Sequence, residues 1–238
     1  MPVSRNGDSA LYAYFKPKSA IAEAFRTLRT NISFSSLNRP FKTIMTTSAG
    51  PLDGKSTVTS NMGVVMAQAG SRVLIVDCDL RKPVMHKNFE TDNHRGLTNL
   101  LVQDLDIAEV IKPTRVEGLS LLTSGPIPPN PSELLGSLKM KNFLEKAAGM
   151  YDIVFIDSLP VIAVTDASVL APLVDGVMLV VKSGATKIDM VKEAKNQLKK
   201  AKARIIGVVL NEVKMKSEDY HYYYYYKSRN KPSKEVVL

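Results

Sequence analysis

The sequence predicts an α/β fold: a doubly wound, mostly parallel sheet in a single domain, with a C-terminal tail. Three observations predict it. Short apolar runs alternate with helix-length segments along most of the 238 residues, the pattern of parallel strands joined by crossover helices. Three of the runs are apolar at nearly every position, as strands covered on both faces are. One strand-to-helix junction carries Ala49-Gly50-Pro51-Leu52-Asp53-Gly54-Lys55-Ser56, a spacing whose meaning depends on just that context.

The elements follow in chain order. Residues 1–18 hold Pro2, Gly7 and Pro17 with little periodicity and read as an extended leader. Ile21, Phe25, Leu28 and Ile32 recur at helical spacing behind Ser19, an N-cap residue, and the helix runs through Ser36. Strands are expected at Lys42–Thr46, Val73–Asp77, Leu119–Leu122, Ile153–Asp157, Val177–Val181 and Ile205–Leu210. Helices are expected at Lys55–Ala69, Lys139–Ala148, Asp166–Leu173 and Lys187–Ala203. The stretch 81–118 reads as a loop with short helices near Leu97–Leu101 and Ile107–Ile111. Pro126–Pro131 is a proline-rich connection ending at Ser132, an expected N-cap with Glu133 in the first turn. The domain therefore spans 19–212, and 213–238 is a tyrosine-rich tail expected to be flexible.

Composition excludes several classes. Hydrophobic residues make up 45% and charged residues 23%, too balanced for wholesale disorder. No run approaches the ~18–20 apolar residues of a membrane span, and the N-terminus lacks the apolar core of a secretory signal. The single cysteine, Cys78, excludes an intrachain disulfide. A cytoplasmic chain is expected. Cys78, between acids, reads as packing, and the isolated His86 and His94 do not make a metal site. Of the net charge of +9, residues 182–238 contribute +8, from 14 basic and 6 acidic side chains. Such a block suits an anionic partner or a solvated face, but no nucleic-acid-binding module accompanies it, so nucleic acid is not an expected partner.

The junction at 49–56 reads as a phosphate loop. Successive backbone N–H groups wrap an anion, and the following helix presents its positive end. The nucleotide would lie on Ala49, Gly50, Pro51, Leu52, Asp53, Gly54, Lys55, Ser56 and Thr57. Lys55 would reach the β- and γ-phosphates of ATP and the Ser56 hydroxyl would ligate Mg²⁺. Leu52 stands where a second glycine often sits and tolerates positive φ poorly. Two apolar strands end in acids, Asp77 (followed by Cys78-Asp79) and Asp157. Strand alternation sets Asp77 and Asp79 on one side and Cys78 on the other. The three carboxylates are expected to converge at the C-terminal edge of the sheet, where such folds bind ligands.

Taken together, these residues resemble a bacterial tyrosine kinase of the capsule and exopolysaccharide type, in its free-standing cytoplasmic form. The resemblance also rests on Glu23-Ala24-Phe25-Arg26-Thr27-Leu28-Arg29-Thr30-Asn31, on Leu80-Arg81-Lys82-Pro83 after the second acidic strand, on Pro128-Pro129-Asn130-Pro131-Ser132-Glu133-Leu134-Leu135 and on a terminal tyrosine cluster. Leu159 departs from it, standing where the family usually has a proline. The resemblance implies roles. Lys55 would contact the phosphates, Ser56 and Asp79 would serve Mg²⁺, and Asp157 would help order its shell. Asp77 would accept the tyrosine proton, although the division between Asp77 and Asp79 stays open. Glu23 of one subunit would meet Arg26 or Arg29 of the next in a homo-oligomer. The bland alternative is a helix face laced with internal Glu–Arg pairs. A membrane-embedded activator protein is the implied partner, which would place the chain peripherally at the inner face of the membrane. A phosphotyrosine phosphatase is a further implied partner.

Tyr220, Tyr222, Tyr223, Tyr224, Tyr225 and Tyr226 lie between charged segments, as accessible phosphoacceptors would. Residues 216–234 carry five basic and two acidic side chains, and each phosphate adds roughly −1.5 to −2 charges. Modification therefore inverts the sign of the tail, and a tail drawn to a neighbour's acidic site would be released by it. The competing readings are a partition- or positioning-type ATPase switch that modifies no protein, and an idle nucleotide-binding scaffold. Gly50, where such ATPases carry a signature lysine, and the tyrosine run speak against the first.

Overall fold

The computed structural model describes residues 10–35, 40–103 and 105–214. Seven strands form one sheet: β1 (Thr43–Ser48), β2 (Val73–Asp77), β3 (Lys112–Pro113), β4 (Leu119–Leu122), β5 (Ile153–Asp157), β6 (Gly176–Lys182) and β7 (Ile205–Asn211), in the order β3-β4-β2-β5-β1-β6-β7. Only the β3–β4 pair is antiparallel. The nine α-helices among the described residues are α1 (Tyr12–Phe15), α2 (Ala20–Phe34), α3 (Lys55–Ala67), α4 (Met85–Asn88), α5 (Leu97–Val102), α6 (Pro131–Leu135), α7 (Leu138–Met150), α8 (Asp166–Leu170) and α9 (Ile188–Lys200).

Strand alternation divides the core into two layers. Met45, Leu74, Val76, Val154, Ile156 and Leu179 face α7, α8 and α9. Ile44, Val73, Ile75, Ile153, Phe155 and Met178 face α2 and α3. The same parity carries the residues that follow, so Cys78 joins the first layer, while Asp77 and Asp157 fall on the side of α3. That helix is buried from Val58 through Ala67, because it has the sheet on one side and α1 and α2 on the other. A helix without an amphipathic stripe belongs in that position.

Ser19 caps α2, accepting a hydrogen bond from the Ala22 N–H at 3.1 Å. Four expectations need correction. Residues 12–15 are a helical turn rather than extended chain, with Leu11 and Ala13 buried against α3. The Asn61 side chain of α3 holds it, accepting from Ala13 N at 2.8 Å and donating to Ala10 O at 2.7 Å; four residues are too few for a period to show. Ser132 is not an N-cap: α6 starts at Pro131 behind Asn130, where a proline's missing N–H costs nothing. The stretch 81–118 contains α4 and the two-residue β3 as well as short helices. Ile107–Glu109 is a 3-10 turn.

Candidate active site

The loop after β1 is braced by two distant parts of the chain and by its own ends. Asp53 turns its carboxylate inward and accepts from Gly50 N at 2.8 Å and from the Thr186 hydroxyl at 2.7 Å. The Asn211 side-chain amide, at the end of β7, donates to Asp53 O at 2.9 Å. The Ser48 hydroxyl donates to Gly50 O at 2.7 Å. Within this frame Leu52 adopts φ +62° with 84% of its surface exposed. A left-handed L-residue costs roughly 1–2 kcal/mol, so the position flagged in the sequence is a strained one. Gly54 has φ +90°, and a Cβ there would lie 2.0 Å from the Asn211 amide nitrogen. Only glycine fits.

Lys55 opens α3. Its Nζ lies 3.1 Å from Asp79 Oδ2 and 3.4 Å from Asp157 Oδ2, and donates to the Ser56 hydroxyl at 3.1 Å. Ser56 Oγ donates in turn to Asp157 Oδ2 at 2.6 Å, and Thr59 Oγ1 reaches Asp157 Oδ1 at 3.3 Å. Asp77 is fully buried. It accepts from the backbone N–H groups of Asp79 (3.1 Å), Val84 (3.2 Å) and Met85 (3.0 Å), shaping the turn that presents Asp79. Asp79 Oδ1 accepts from Lys82 N at 2.8 Å. The expected convergence of Lys55, Ser56, Asp77, Asp79 and Asp157 is thus a property of the fold.

Three carboxylates face one ammonium, and burial and charge shift the proton affinities of Asp77, Asp157 and Lys55. Burial, reinforced by the Asp157 charge, pushes Asp77 up to about 7. Burial also raises Asp157, against the pull of Lys55 and the Ser56 hydrogen bond. For Lys55 burial acts downward, yet Asp157 and Asp79 outweigh it and hold the ammonium above its ordinary value. Burial and Asp77 raise Cys78 well above the usual thiol range, which suits packing and not thiolate chemistry.

The oxygen donors of Ser56, Asp79 and Asp157, gathered beside a helix N-terminus, fit a small hard cation held together with a phosphate chain. Other residues act here that the sequence did not single out. Thr186 and Asn211 brace the loop. The buried Asp166 accepts two bonds from Arg81, at 3.0 and 3.1 Å, and holds the Ser132 hydroxyl. Asn211 ends a strand at the same edge as Asp157, a position that could have flagged it; Thr186 carried no such signal.

Elsewhere, Glu23 and Arg26 pair within α2 at 2.8 Å, and Arg29 donates to Val65 O of α3 at 2.9 Å. Tyr220 and Tyr222–Tyr226 lie outside the described residues. No helix among the described residues is long and apolar enough to cross a membrane.

A family model described as an AAA domain matches residues 44–213. The tyrosine-protein kinase YwqD of Bacillus subtilis is 43% identical over 203 residues, 85% of this chain and 86% of the relative. The putative tyrosine-protein kinase CapB of Staphylococcus aureus is 42% identical over 214 residues, 90% of this chain and 94% of that one. The crystal structure of the chimerical protein CapA2B2 superposes with a TM-score of 0.83 at 41% identity, covering 87% of this chain and 91% of its own. With its braced phosphate loop, its three carboxylates at the C-terminal edge of the sheet and relatives this similar along nearly their whole length, the chain belongs to the bacterial tyrosine-protein kinase family.

Proposed function

We propose that the chain transfers the terminal phosphoryl group of magnesium-bound ATP to tyrosine, its principal acceptors being Tyr220 and Tyr222–Tyr226 of another copy of itself. The observation that carries this reading is the meeting of Lys55, Ser56, Asp79 and Asp157 within 3.4 Å contacts at the mouth of the loop. Backbone N–H groups of residues 52–57 hold the phosphate chain, since Pro51 has none and that of Gly50 is given to Asp53, and Lys55 neutralises its outer end. Ser56 and Asp79 hold Mg²⁺, with Asp157 orienting the Ser56 hydroxyl and ordering the metal's shell. When bound, Mg²⁺ offsets the charge that develops on the transferring group. Asp77, held near neutrality by burial, is the carboxylate best matched to a phenolic proton at pH 7, and its hold on the 79–85 turn aims Asp79.

The chain leaves β7 at Asn211, which touches the loop itself. Tyr220 follows nine residues later, a reach of about 30 Å when extended. That supports the tail as acceptor, for the chain's own site or a neighbour's. In the same reading, a membrane-embedded activator recruits the chain to the inner membrane face, α2 contributes Glu23, Arg26 and Arg29 to self-assembly, and tail phosphorylation regulates capsule or exopolysaccharide synthesis until a phosphatase reverses it. For Glu23 and Arg26 this requires exchanging an intrahelical partner for one on the next subunit.

The test is incubation with labelled ATP, Mg²⁺ and the activator's cytoplasmic segment, followed by phosphoamino-acid analysis. Phosphotyrosine on 220–226, absent in Lys55→Met, is expected. Free phosphate with no labelled protein would assign the site to an ATPase switch instead. Subunit mass before and after labelling tests assembly, which is expected to decrease as the tail charges.

A further inference from the structure

The turn that carries Asp79 also carries two cations, and the structure treats them differently. Arg81 is committed: its guanidinium spends Nε and Nη2 on the buried Asp166 and Nη2 again on the Ser132 hydroxyl. Lys82 is anchored only through its backbone, whose N–H holds Asp79 Oδ1 at 2.8 Å. Its side chain is exposed and enters no ion pair among the described residues. An exposed lysine whose backbone N–H holds Asp79 therefore belongs to the turn that borders a site with three carboxylates against one lysine.

An acceptor segment approaching this rim meets a net negative interior, which repels acidic side chains. The chain's first cluster tyrosine is nevertheless preceded by two acids, Glu218-Asp219-Tyr220. Such a segment needs a cation outside the carboxylate cluster yet on an element that touches it, and Lys82 is exposed while its own backbone N–H holds Asp79. Resting on the kinase reading above, we propose that Lys82 is a specificity-determining residue, pairing with acidic residues immediately before the acceptor tyrosine and directing the enzyme to acid-preceded tyrosines.

The experiment compares two synthetic peptides, each with one tyrosine, preceded by Glu-Asp in one and by Lys-Lys in the other. Both are offered to the full chain with ATP, Mg²⁺ and the activator segment. For the unsubstituted chain, kcat/KM should favour the Glu-Asp peptide by about threefold to fivefold per ion pair formed, through KM and not kcat, and the preference should shrink with added salt. Lys82→Ala should erase the preference, and Lys82→Glu should reverse it toward the Lys-Lys peptide. Phosphorylation of both peptides with the same ratio in all three proteins overturns the role of Lys82 and leaves the kinase reading standing. Failure to label either peptide or the tail sinks both.

Discussion

Ser56 and Asp157 are joined by a 2.6 Å hydrogen bond that ties the first turn of α3 to the end of β5. The bond makes the hydroxyl a donor to a buried carboxylate, while its oxygen accepts from the Lys55 ammonium at 3.1 Å. Asp157→Asn keeps the shape but leaves Lys55 one counter-charge short. Phosphoryl transfer is expected to fall by roughly 10²–10³-fold, the range seen when one preorganised polar group is removed from an active site, with the fold retained. Initial rates and a circular dichroism melt check the two halves of this statement.

Stability should depend on pH through Asp77. Its carboxyl is raised from 3.8 to about 7, so the folded state binds this proton more tightly than the unfolded chain does. The resulting stabilisation is complete below about pH 4 and disappears as pH rises toward 7. The Tm of the unsubstituted protein should therefore fall relative to Asp77→Asn across that interval. Parallel Tm profiles for the two proteins would contradict the burial of an ionisable group there.

Gly54→Ala places a methyl against Asn211 at a φ of +90°. The combined strain should destabilise the protein by about 1–3 kcal/mol and weaken ATP binding more than tenfold. Thermal melts and titration with a fluorescent nucleotide read these separately.

Leu52→Asn should do the opposite to stability. The leucine buries little and sits in the left-handed region, which asparagine tolerates better. A gain of up to about 1 kcal/mol in denaturant unfolding is expected, and a loss would show that the strain is absent.

Asn61→Ala removes two of the three side-chain bonds that hold residues 10–13 to α3 and its C-cap, leaving that from Gln68. Leaving buried backbone groups unpaired costs about 1–3 kcal/mol. Limited proteolysis should cut between residues 10 and 16 faster in the variant than in the parent protein.

Most of the sheet was legible because its strands are short and largely apolar, and two of them, β2 and β5, end in acids. Val73–Asp77, Leu119–Leu122 and Ile153–Asp157 coincide with their expected bounds, and parity carried Asp77 and Asp157 to one face. Leu52 was legible too, since a leucine in a glycine's place announces its own strain. What escaped was held by contacts remote in sequence. The turn at Tyr12–Phe15 exists because Asn61 offers it an amide, and β3 because Leu121 and Ser120 pair with two residues of no strand character. Thr186 and Asp166 were invisible for the same reason: each matters through a partner more than 80 positions away, as Asn211 does despite its strand-end position.

The mooring of Asn211 to Asp53 has a practical side. β7 ends in a side chain that steadies the 49–56 loop. A fluorophore or crosslinker that displaces the end of β7 would also displace the Asn211 amide that braces the loop.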